Sequence, residues 1–217
     1  PLEEEQIQLF FSDIEPLAAS KVLVRLEKEN LSIGERVLAQ ELRLTVRGQD
    51  KIGIIGPNGV GKSTLLAKFQ QLLSGKREIS LGFMPQDYQE TLQLDLSPVE
   101  FLSQSGHKEE LQKIQSHLAS LNFSYPEMHH QIHSLSGGQQ GKLLLLNLVL
   151  RKPNFLLLDE PTRNFSPTSQ PEIRKLFATY PGGLITVSHD RRFLKEVCTS
   201  IYSLTEPGLE VVDLQDL

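Results

Sequence analysis

The stretch GPNGVGKST, at positions 56–64, combines three glycines with a lysine and two hydroxyl side chains. Glycines allow a tight turn that aims several backbone N–H groups inward and lets a phosphate approach the backbone. The spacing fits G-x-x-x-x-G-K-[ST], in which Lys62 reaches the β- and γ-phosphates and the Ser63 hydroxyl ligates Mg²⁺. A glycine-rich turn that binds nothing is the alternative. We predict a phosphate-binding loop formed by Gly56, Pro57, Asn58, Gly59, Val60, Gly61, Lys62, Ser63 and Thr64.

Two adjacent acids, Asp159 and Glu160, end the apolar run FLLLDE. In phosphate-loop enzymes an Asp at the end of a second apolar strand helps to hold the metal, and Asp159 suits that role. Glu160 faces another way and could orient the attacking water as a general base. The alternative is that acids merely terminate a strand, but the pairing with residues 56–64 favours a nucleotide-hydrolysing site.

The stretch LSGGQQGK, at 135–142, places Ser136 as an N-cap before two glycines that begin a long apolar helix. Glycines weaken a helix, so a simple capped helix start does not explain Gly137 and Gly138. They leave the first turn bare, so that a ligand can approach the helix N-terminus. We predict a second phosphate-recognition surface there, because helix N-terminal N–H groups favour anions.

The elements that must position these residues alternate between apolar strands and helices, which indicates an α/β fold with a mostly parallel sheet. Before and after the loop lie the strand KIGIIG and the helix GKSTLLAKFQQLL. NFLLLD and GGLITVS read as further strands, and the pattern from Ser97 to about Leu121 predicts a helix. Two alternating stretches, at 21–30 and 41–50, predict additional strands.

Composition sets further bounds. The chain has 217 residues, 39% of them hydrophobic and 23% charged, with a net charge of −5. A packed core is therefore expected, and the charge argues weakly against strong nucleic-acid binding by this chain alone. The single cysteine, Cys198, fits a reducing cytoplasm. The apolar run at 143–150 is too short for a membrane span. Because the chain begins at Pro1, we expect a piece of a longer protein.

Five motifs together resemble the ATP-binding-cassette (ABC) family over nearly the whole chain. GPNGVGKST resembles its Walker A loop, FLLLDEPT its Walker B strand and LSGGQ its signature. Gln86 in FMPQD resembles the Q-loop residue, and His189 in ITVSHD resembles the switch histidine. The resemblance implies a P-loop NTPase fold with a mostly parallel core sheet, an antiparallel β subdomain and a small helical subdomain at about 87–151.

The resemblance also implies chemistry and assembly. ATP and Mg²⁺ are the expected cofactors, with Glu160, His189 and Lys62 catalytic and Ser63, Gln86 and Asp159 at the metal. Gln86 would touch Mg²⁺ and the attacking water, and His189 the γ-phosphate. Two cassettes stack head to tail in this family. We therefore expect the signature residues to bind a partner cassette's nucleotide; these residues are Ser136, Gly137, Gly138 and Gln139. We also expect an isolated domain to hydrolyse ATP weakly.

The stretch SHDRRFL resembles the ABC-F branch, whose members carry two cassettes on one chain and often act on the ribosome, some protecting it from antibiotics. Residues 87–134 leave too little room for the long coiled coils of chromosome-type ATPases. We expect 1–20 to be the end of an inter-cassette linker and 21–217 to be the second cassette, acting in the cytoplasm and contacting ribosomal RNA through the full-length protein.

Two departures from the family pattern stand out. RNFSP, at 163–167, replaces the usual NHLD of the D-loop, so coupling between the two ATP sites is in doubt. Ile33 lies near the place of the aromatic that normally stacks on adenine, and an aliphatic side chain recognises a base with less specificity. We therefore expect relaxed base selectivity or weaker affinity.

Two other functions stay open from the sequence. The chain could be the ATPase subunit of a membrane ABC transporter, which would have the same fold and chemistry. It could also be a nucleotide-dependent binding module that does not hydrolyse ATP. The presence of Glu160 argues against a module that does not hydrolyse ATP, whereas the altered D-loop is compatible with one.

Overall fold

The computed structural model describes residues 9–217. This part of the chain forms eight strands and seven α-helices, with four of the helices in succession between β4 and β5. The strands are β1 (Val22–Ile33), β2 (Arg36–Arg47), β3 (Lys51–Ile55), β4 (Leu81–Met84), β5 (Phe155–Asp159), β6 (Gly183–Val187), β7 (Ser200–Thr205) and β8 (Gly208–Val212). The helices are α1 (Lys62–Ser74), α2 (Pro98–Leu102), α3 (Lys108–Ser120), α4 (Tyr125–His129), α5 (Gly137–Leu150), α6 (Gln170–Ala178) and α7 (Arg191–Val197).

The main sheet has six strands in the order β4-β5-β6-β3-β7-β8. The first five run parallel, and β8 pairs antiparallel with β7. Every residue of β5 and β6 is buried, as expected for parallel strands covered on both faces. Along β5, Leu156 and Leu158 pack into one core, while Phe155 and Leu157 pack into the core on the opposite face.

The register of the central strands brings three distant parts of the chain to one edge. Val187, the last residue of β6, pairs with Ile54 of β3 on one side and with Asp159 of β5 on the other. The loop after β3, the acids at the end of β5 and the turn after β6 therefore leave the sheet side by side. Carboxyl ends of neighbouring parallel strands form the usual ligand crevice of open α/β sheets.

A separate two-stranded antiparallel sheet, β1 and β2, covers one side of the main sheet. Its apolar face contributes Leu26, Leu31, Leu42, Leu44 and Val46 to a core shared with β3 and α1. The opposite face of this sheet is exposed. The prediction of a mostly parallel α/β P-loop fold with an antiparallel β element is thus confirmed.

The prediction of one continuous helix from Ser97 to about Leu121 is wrong, because the structure has two helices in this stretch. The structure ends α2 at Leu102 and begins α3 at Lys108. The Glu110 carboxylate, in the first turn of α3, accepts hydrogen bonds from the Ser103 hydroxyl at 2.8 Å and from the Gln104 backbone N–H at 2.9 Å in the segment between the two helices. Gly106 adopts φ 71°. These side chain–backbone bonds stabilise a turn that competes with a continuous helix.

The predicted domain boundaries stay predictions, and the part of the linker at 1–8 lies outside the described residues. From residue 9 onward the segment before β1 packs against the rest of the fold. Leu9 is buried, and the Phe11 ring centroid lies 4.8 Å from that of Tyr180. None of the helices between residues 9 and 217 has the length and apolar composition needed to cross a bilayer.

Candidate nucleotide site

The glycine-rich loop connects β3 to α1 in a conformation that glycine makes accessible. Gly59 and Gly61 have φ angles of 81° and 111°, which side chain-bearing residues rarely adopt. The Lys62 ammonium donates to the Gly56 carbonyl at 2.7 Å and to the Pro57 carbonyl at 2.9 Å. Lys62 thus folds over the loop as well as beginning α1. Val60 packs against the core next to α1, so its side chain anchors the loop.

Burial perturbs the ionisation of this lysine in the direction expected for a desolvated cation. Desolvation lowers the pKa of Lys62, while the carboxylates of Glu160 and Asp159 oppose that shift. Its side chain is almost fully buried. A cation held next to a cradle of backbone N–H groups attracts the anionic oxygens of a phosphate.

Ser63 and Asp159 meet across the loop. The Ser63 hydroxyl donates to Asp159 Oδ2 at 2.9 Å, and Asp159 Oδ1 is buried without any hydrogen-bond partner among residues 9–217. Desolvation raises the pKa of Asp159, and the Ser63 hydrogen bond lowers it. An orphaned buried carboxylate oxygen beside a hydroxyl suits a hard divalent cation, which prefers oxygen ligands. Gln86 lines the same cleft and brings a side-chain amide to it.

Glu160 and His189 form the next part of the site. His189 Nδ1 and Glu160 Oε1 are in direct contact, and the His189 backbone N–H donates to Glu160 Oε2 at 3.2 Å. Glu160 adopts φ 49°, and its N–H donates to the Val187 carbonyl at 2.8 Å. The Glu160 side chain is 11% exposed and that of His189 55%, so the pair lies at the mouth of the site.

These side chains line one cleft of about 750 Å³. It contains six predicted residues from four separate parts of the chain: Lys62, Ser63, Gln86, Asp159, Glu160 and His189. Asn58, Gly59, Gly61 and Thr64 of the loop line it as well. Ile33 also lines the cleft and is 58% exposed, and its place near the base stays a prediction.

Sequence reasoning missed several lining residues. Thr162 Oγ1 donates to Asp190 Oδ2 at 3.0 Å, which ties the turn after β5 to the turn after β6. Both lie directly beside motif residues in EPT and SHD, so proximity in sequence was an available signal. Arg36, Arg163 and Gln170 also line the cleft. Arg163 belongs to the altered D-loop noted in the sequence, whereas no pattern distinguishes Arg36 or Gln170 from ordinary surface side chains.

The four signature residues do not line this cleft. Ser136 caps α5, with its hydroxyl accepting from the Gln139 N–H at 3.2 Å and its own N–H donating to Gln139 Oε1 at 3.1 Å. Gln139 Nε2 also contacts the Glu127 carboxylate of α4. A Cβ added to Gly137 or Gly138 would meet no atom within 4 Å. The helix start is therefore rigidly capped and sterically open, away from this chain's own phosphate loop.

The altered D-loop is anchored by its aromatic residue. Phe165 is buried, and its ring packs where Gly141 of α5 has no side chain. The Gln170 side chain donates to the Phe165 carbonyl at 3.2 Å. Arg163, by contrast, is exposed and lines the nucleotide cleft. Phe165, the middle residue of RNFSP, thus packs the D-loop against the helix that begins at Gly137.

The strand–loop–helix geometry and the acids at the neighbouring strand end define a P-loop nucleoside triphosphatase. A family model described as "ABC transporter" matches residues 39–163, more than half of the chain. The chain therefore belongs to the ABC transporter family, as a cassette of the kind that binds ATP. ATP hydrolysis is the known activity of this family.

Known relatives agree with this assignment. The chain is 29% identical over 214 residues to "Probable ATP-binding protein YheS" of Escherichia coli K12, covering 94% of this chain and 33% of the relative. It is 27% identical over 219 residues to "ABC transporter F family member 2" of Arabidopsis thaliana, covering 96% of this chain and 32% of the relative. These relatives are of the ABC-F type, as the SHDRRFL stretch predicted. The chain spans about a third of the length of the curated relatives it matches.

A solved structure has the same fold. The post-hydrolysis dimer of the ATP-binding cassette MJ0796 bound to ADP and Pi superimposes with a TM-score of 0.72 at 19% identity. The alignment covers 89% of this chain and 98% of that cassette. At this identity the likeness establishes the fold only.

Proposed function

We propose that the cleft binds ATP and hydrolyses it by in-line attack of water on the γ-phosphate. One observation supports this proposal above all. Glu160 contacts His189 at the mouth of a cleft that Lys62 and Asp159 also line. Lys62 spreads the charge that develops on the phosphate oxygens, as preorganised cations do. Glu160 accepts a proton from the attacking water. His189 orients that carboxylate and donates towards the γ-phosphate.

The residues present fit a magnesium ion. Ser63 and Asp159 already share a hydrogen bond, and the unpartnered Asp159 Oδ1 leaves one carboxylate oxygen for an additional ligand. We infer that Ser63, Gln86 and Asp159 hold Mg²⁺, directly or through water. When bound, the ion neutralises negative charge on the phosphate oxygens. The buried lysine and the loop N–H groups position the phosphates on their own.

Replacing Glu160 with Gln tests the hydrolytic assignment in the intact protein. The change keeps side-chain size and removes the proton acceptor, so we expect turnover to fall about 100-fold or more while nucleotide binding persists. Glu109→Gln, on the exposed face of α3, is the matched control and is expected to leave turnover unchanged. Unaltered phosphate release by the Glu160 variant would show that another group is the base.

We propose further that the chain is the second cassette of an ABC-F protein whose two cassettes close on ATP and reopen after hydrolysis. The open helix start at Gly137 and Gly138 supports this, because it would present N–H groups to a nucleotide held by the facing cassette. Binding energy would then draw the cassettes together, and hydrolysis would release them. The dimeric arrangement of MJ0796 is that of a cassette with the same fold.

The target of this motion is proposed to be the ribosome, in the cytoplasm, where the full-length protein would serve as a translation factor or protect against an antibiotic. The ABC-F relatives support this target over a membrane transporter. Co-sedimentation of the full-length protein with ribosomes, with and without ATP and using the slow Glu160→Gln variant, tests it. ATP-dependent association is expected. Equal sedimentation with and without nucleotide would refute the coupling.

A further inference from the structure

Arg163, the first residue of RNFSP, is a cation in the nucleotide cleft that the proposed hydrolysis does not use. Its side chain is exposed and lines the cleft together with Lys62 and Glu160. Within residues 9–217, no ion pair or side-chain hydrogen bond includes the Arg163 guanidinium. The Lys62 ammonium, by contrast, already donates to two loop carbonyls. Arg163 therefore offers its whole set of guanidinium N–H donors to the cleft.

Three carboxylates line the cleft with Arg163, and each is held by another partner. Asp190 accepts hydrogen bonds through both carboxylate oxygens, each at 3.0 Å. Both Glu160 oxygens contact His189. Asp159 is buried and accepts a hydrogen bond from the phosphate loop. An internal ion pair therefore does not account for the arginine, and its charge is available to an anion that enters the cleft.

The turn that carries Arg163 is held in place on both sides. The Arg163 N–H donates to the Glu160 carbonyl at 3.2 Å. Such a turn keeps its first and fourth Cα atoms within about 7 Å of each other. Thr162 is bonded to Asp190 before the arginine, and Phe165 is buried after it. The backbone of Arg163 is thus fixed next to the proposed base, so little ordering is needed when a ligand binds.

We propose that the Arg163 guanidinium binds the γ-phosphate of the nucleotide held in this chain's own cleft. The inference rests on the proposed binding of ATP there. If Glu160 activates the attacking water, the γ-phosphate is the phosphate nearest to this turn. The forked donors of arginine match the geometry of phosphate oxygens. Loss of the γ-phosphate on hydrolysis breaks this contact, so the chain should hold ADP less tightly than ATP.

The competing arrangement places Arg163 on the nucleotide of a facing cassette, since the D-loop crosses the dimer interface in the family that this chain resembles. Two observations favour the chain's own cleft. Arg163 lines the same cleft as Lys62, and its turn begins at Glu160. In that position the arginine would also stabilise the charge that spreads over the γ-phosphate oxygens in the transition state.

Calorimetric titration of the whole chain with magnesium-complexed ADP and AMP-PNP measures the contact, because AMP-PNP keeps the terminal γ-phosphate oxygens. Arg163→Ala should weaken AMP-PNP binding by about tenfold or more and leave ADP binding unchanged, since hydrogen bonds to charged groups are among the stronger ones. Arg163→Lys keeps the charge but loses the fork, so it should recover only part of the affinity. Arg77→Ala, in the exposed turn between α1 and β4 and outside the cleft, is the matched control and should change neither affinity.

A mixing experiment separates the two arrangements. Lys62→Ala chains, which keep Arg163 but lack the loop lysine, are added to Arg163→Ala chains. AMP-PNP affinity should stay low. Its recovery would show that Arg163 acts on a partner's nucleotide and would overturn the proposal.

Two results of the titration would also overturn it: equal losses of affinity for ADP and AMP-PNP, or no loss for either. If Arg163→Ala melts well below the parent, Arg163→Gln keeps the side-chain stem and replaces it, and an unchanged ratio of the two affinities there refutes the proposal equally. A parent chain that binds neither nucleotide would contradict the proposed ATPase function as well. A parent that binds both, with an unaffected Arg163 variant, contradicts this inference alone.

Discussion

Replacing Gly141 with Ala separates helix propensity from packing at the junction between the D-loop and the signature helix. Gly141 lies in the interior of α5. A Cβ there would lie 2.8 Å from Phe165 Cζ and 3.1 Å from the Tyr88 hydroxyl. The Phe165 ring is only 6% exposed and has little room to move. The added methyl group therefore overfills a packed region.

The magnitude follows from two opposing effects. Alanine gains about 1 kcal/mol over glycine in a helix interior. Overpacking costs typically 1–3 kcal/mol. The net change is a loss of about 0–2 kcal/mol, although sequence alone would predict a gain. Gly138→Ala is the matched control, because its Cβ would meet nothing within 4 Å. It should raise stability by a few tenths to about 1 kcal/mol.

Thermal unfolding by circular dichroism measures both variants. For a domain of this size, 1 kcal/mol shifts Tm by about 2–4 °C. We expect the Gly138 variant to melt above the parent and the Gly141 variant to melt below the Gly138 variant by several degrees. Phe165→Leu removes the contacting ring atoms, so in that background Gly141→Ala should lose most of its penalty, with only the approach to the Tyr88 hydroxyl remaining. Equal stabilisation by both alanines in the parent would refute the steric argument.

Three further predictions concern other sites. The Ser103 hydroxyl and neighbouring N–H groups lower the pKa of Glu110 to about 2. The ionised Glu110 therefore stabilises the fold above its usual pKa, and this stabilisation is lost as the pH falls towards 2. Glu110→Gln should reduce the loss of unfolding free energy at acid pH, as measured by urea unfolding. Tyr180→Phe removes the 2.7 Å hydrogen bond to the buried Pro153 carbonyl and should cost about 1–3 kcal/mol in the same assay. Ile33→Phe should strengthen nucleotide binding in a calorimetric titration, whereas a parent chain that strongly prefers ATP over GTP would contradict the proposed weak base recognition.

Much of the fold and of the candidate site could be predicted from the sequence because the relevant geometry is local. Gly59 and Gly61 permit their turn wherever it occurs, and Lys62 follows at the helix start. The apolar run that ends at Asp159 signals a strand covered on both faces. Ser136 caps its helix through residues only three positions away. Each of these depends on neighbours along the chain, so spacing and residue type suffice.

The helix break between α2 and α3 illustrates a limit. Periodicity predicts a single helix here. It does not reveal the competing interaction, in which the Glu110 carboxylate accepts hydrogen bonds from the Ser103 hydroxyl and nearby N–H groups. The contact between Gly141 and Phe165 could not be predicted from the sequence either. A glycine in a long apolar helix has no visible partner until the D-loop folds onto it.

Residue type and spacing along the chain were enough to predict the chemistry: a phosphate loop, two acids after a buried strand, and a capped helix that starts with glycines. Which of these residues meet depends on the three-dimensional arrangement of the strands. Val187 pairs with both Ile54 and Asp159, and this register places the phosphate loop, the acids and His189 at one edge. Strand order and register depend on contacts between residues far apart in the chain, which spacing along the sequence does not encode.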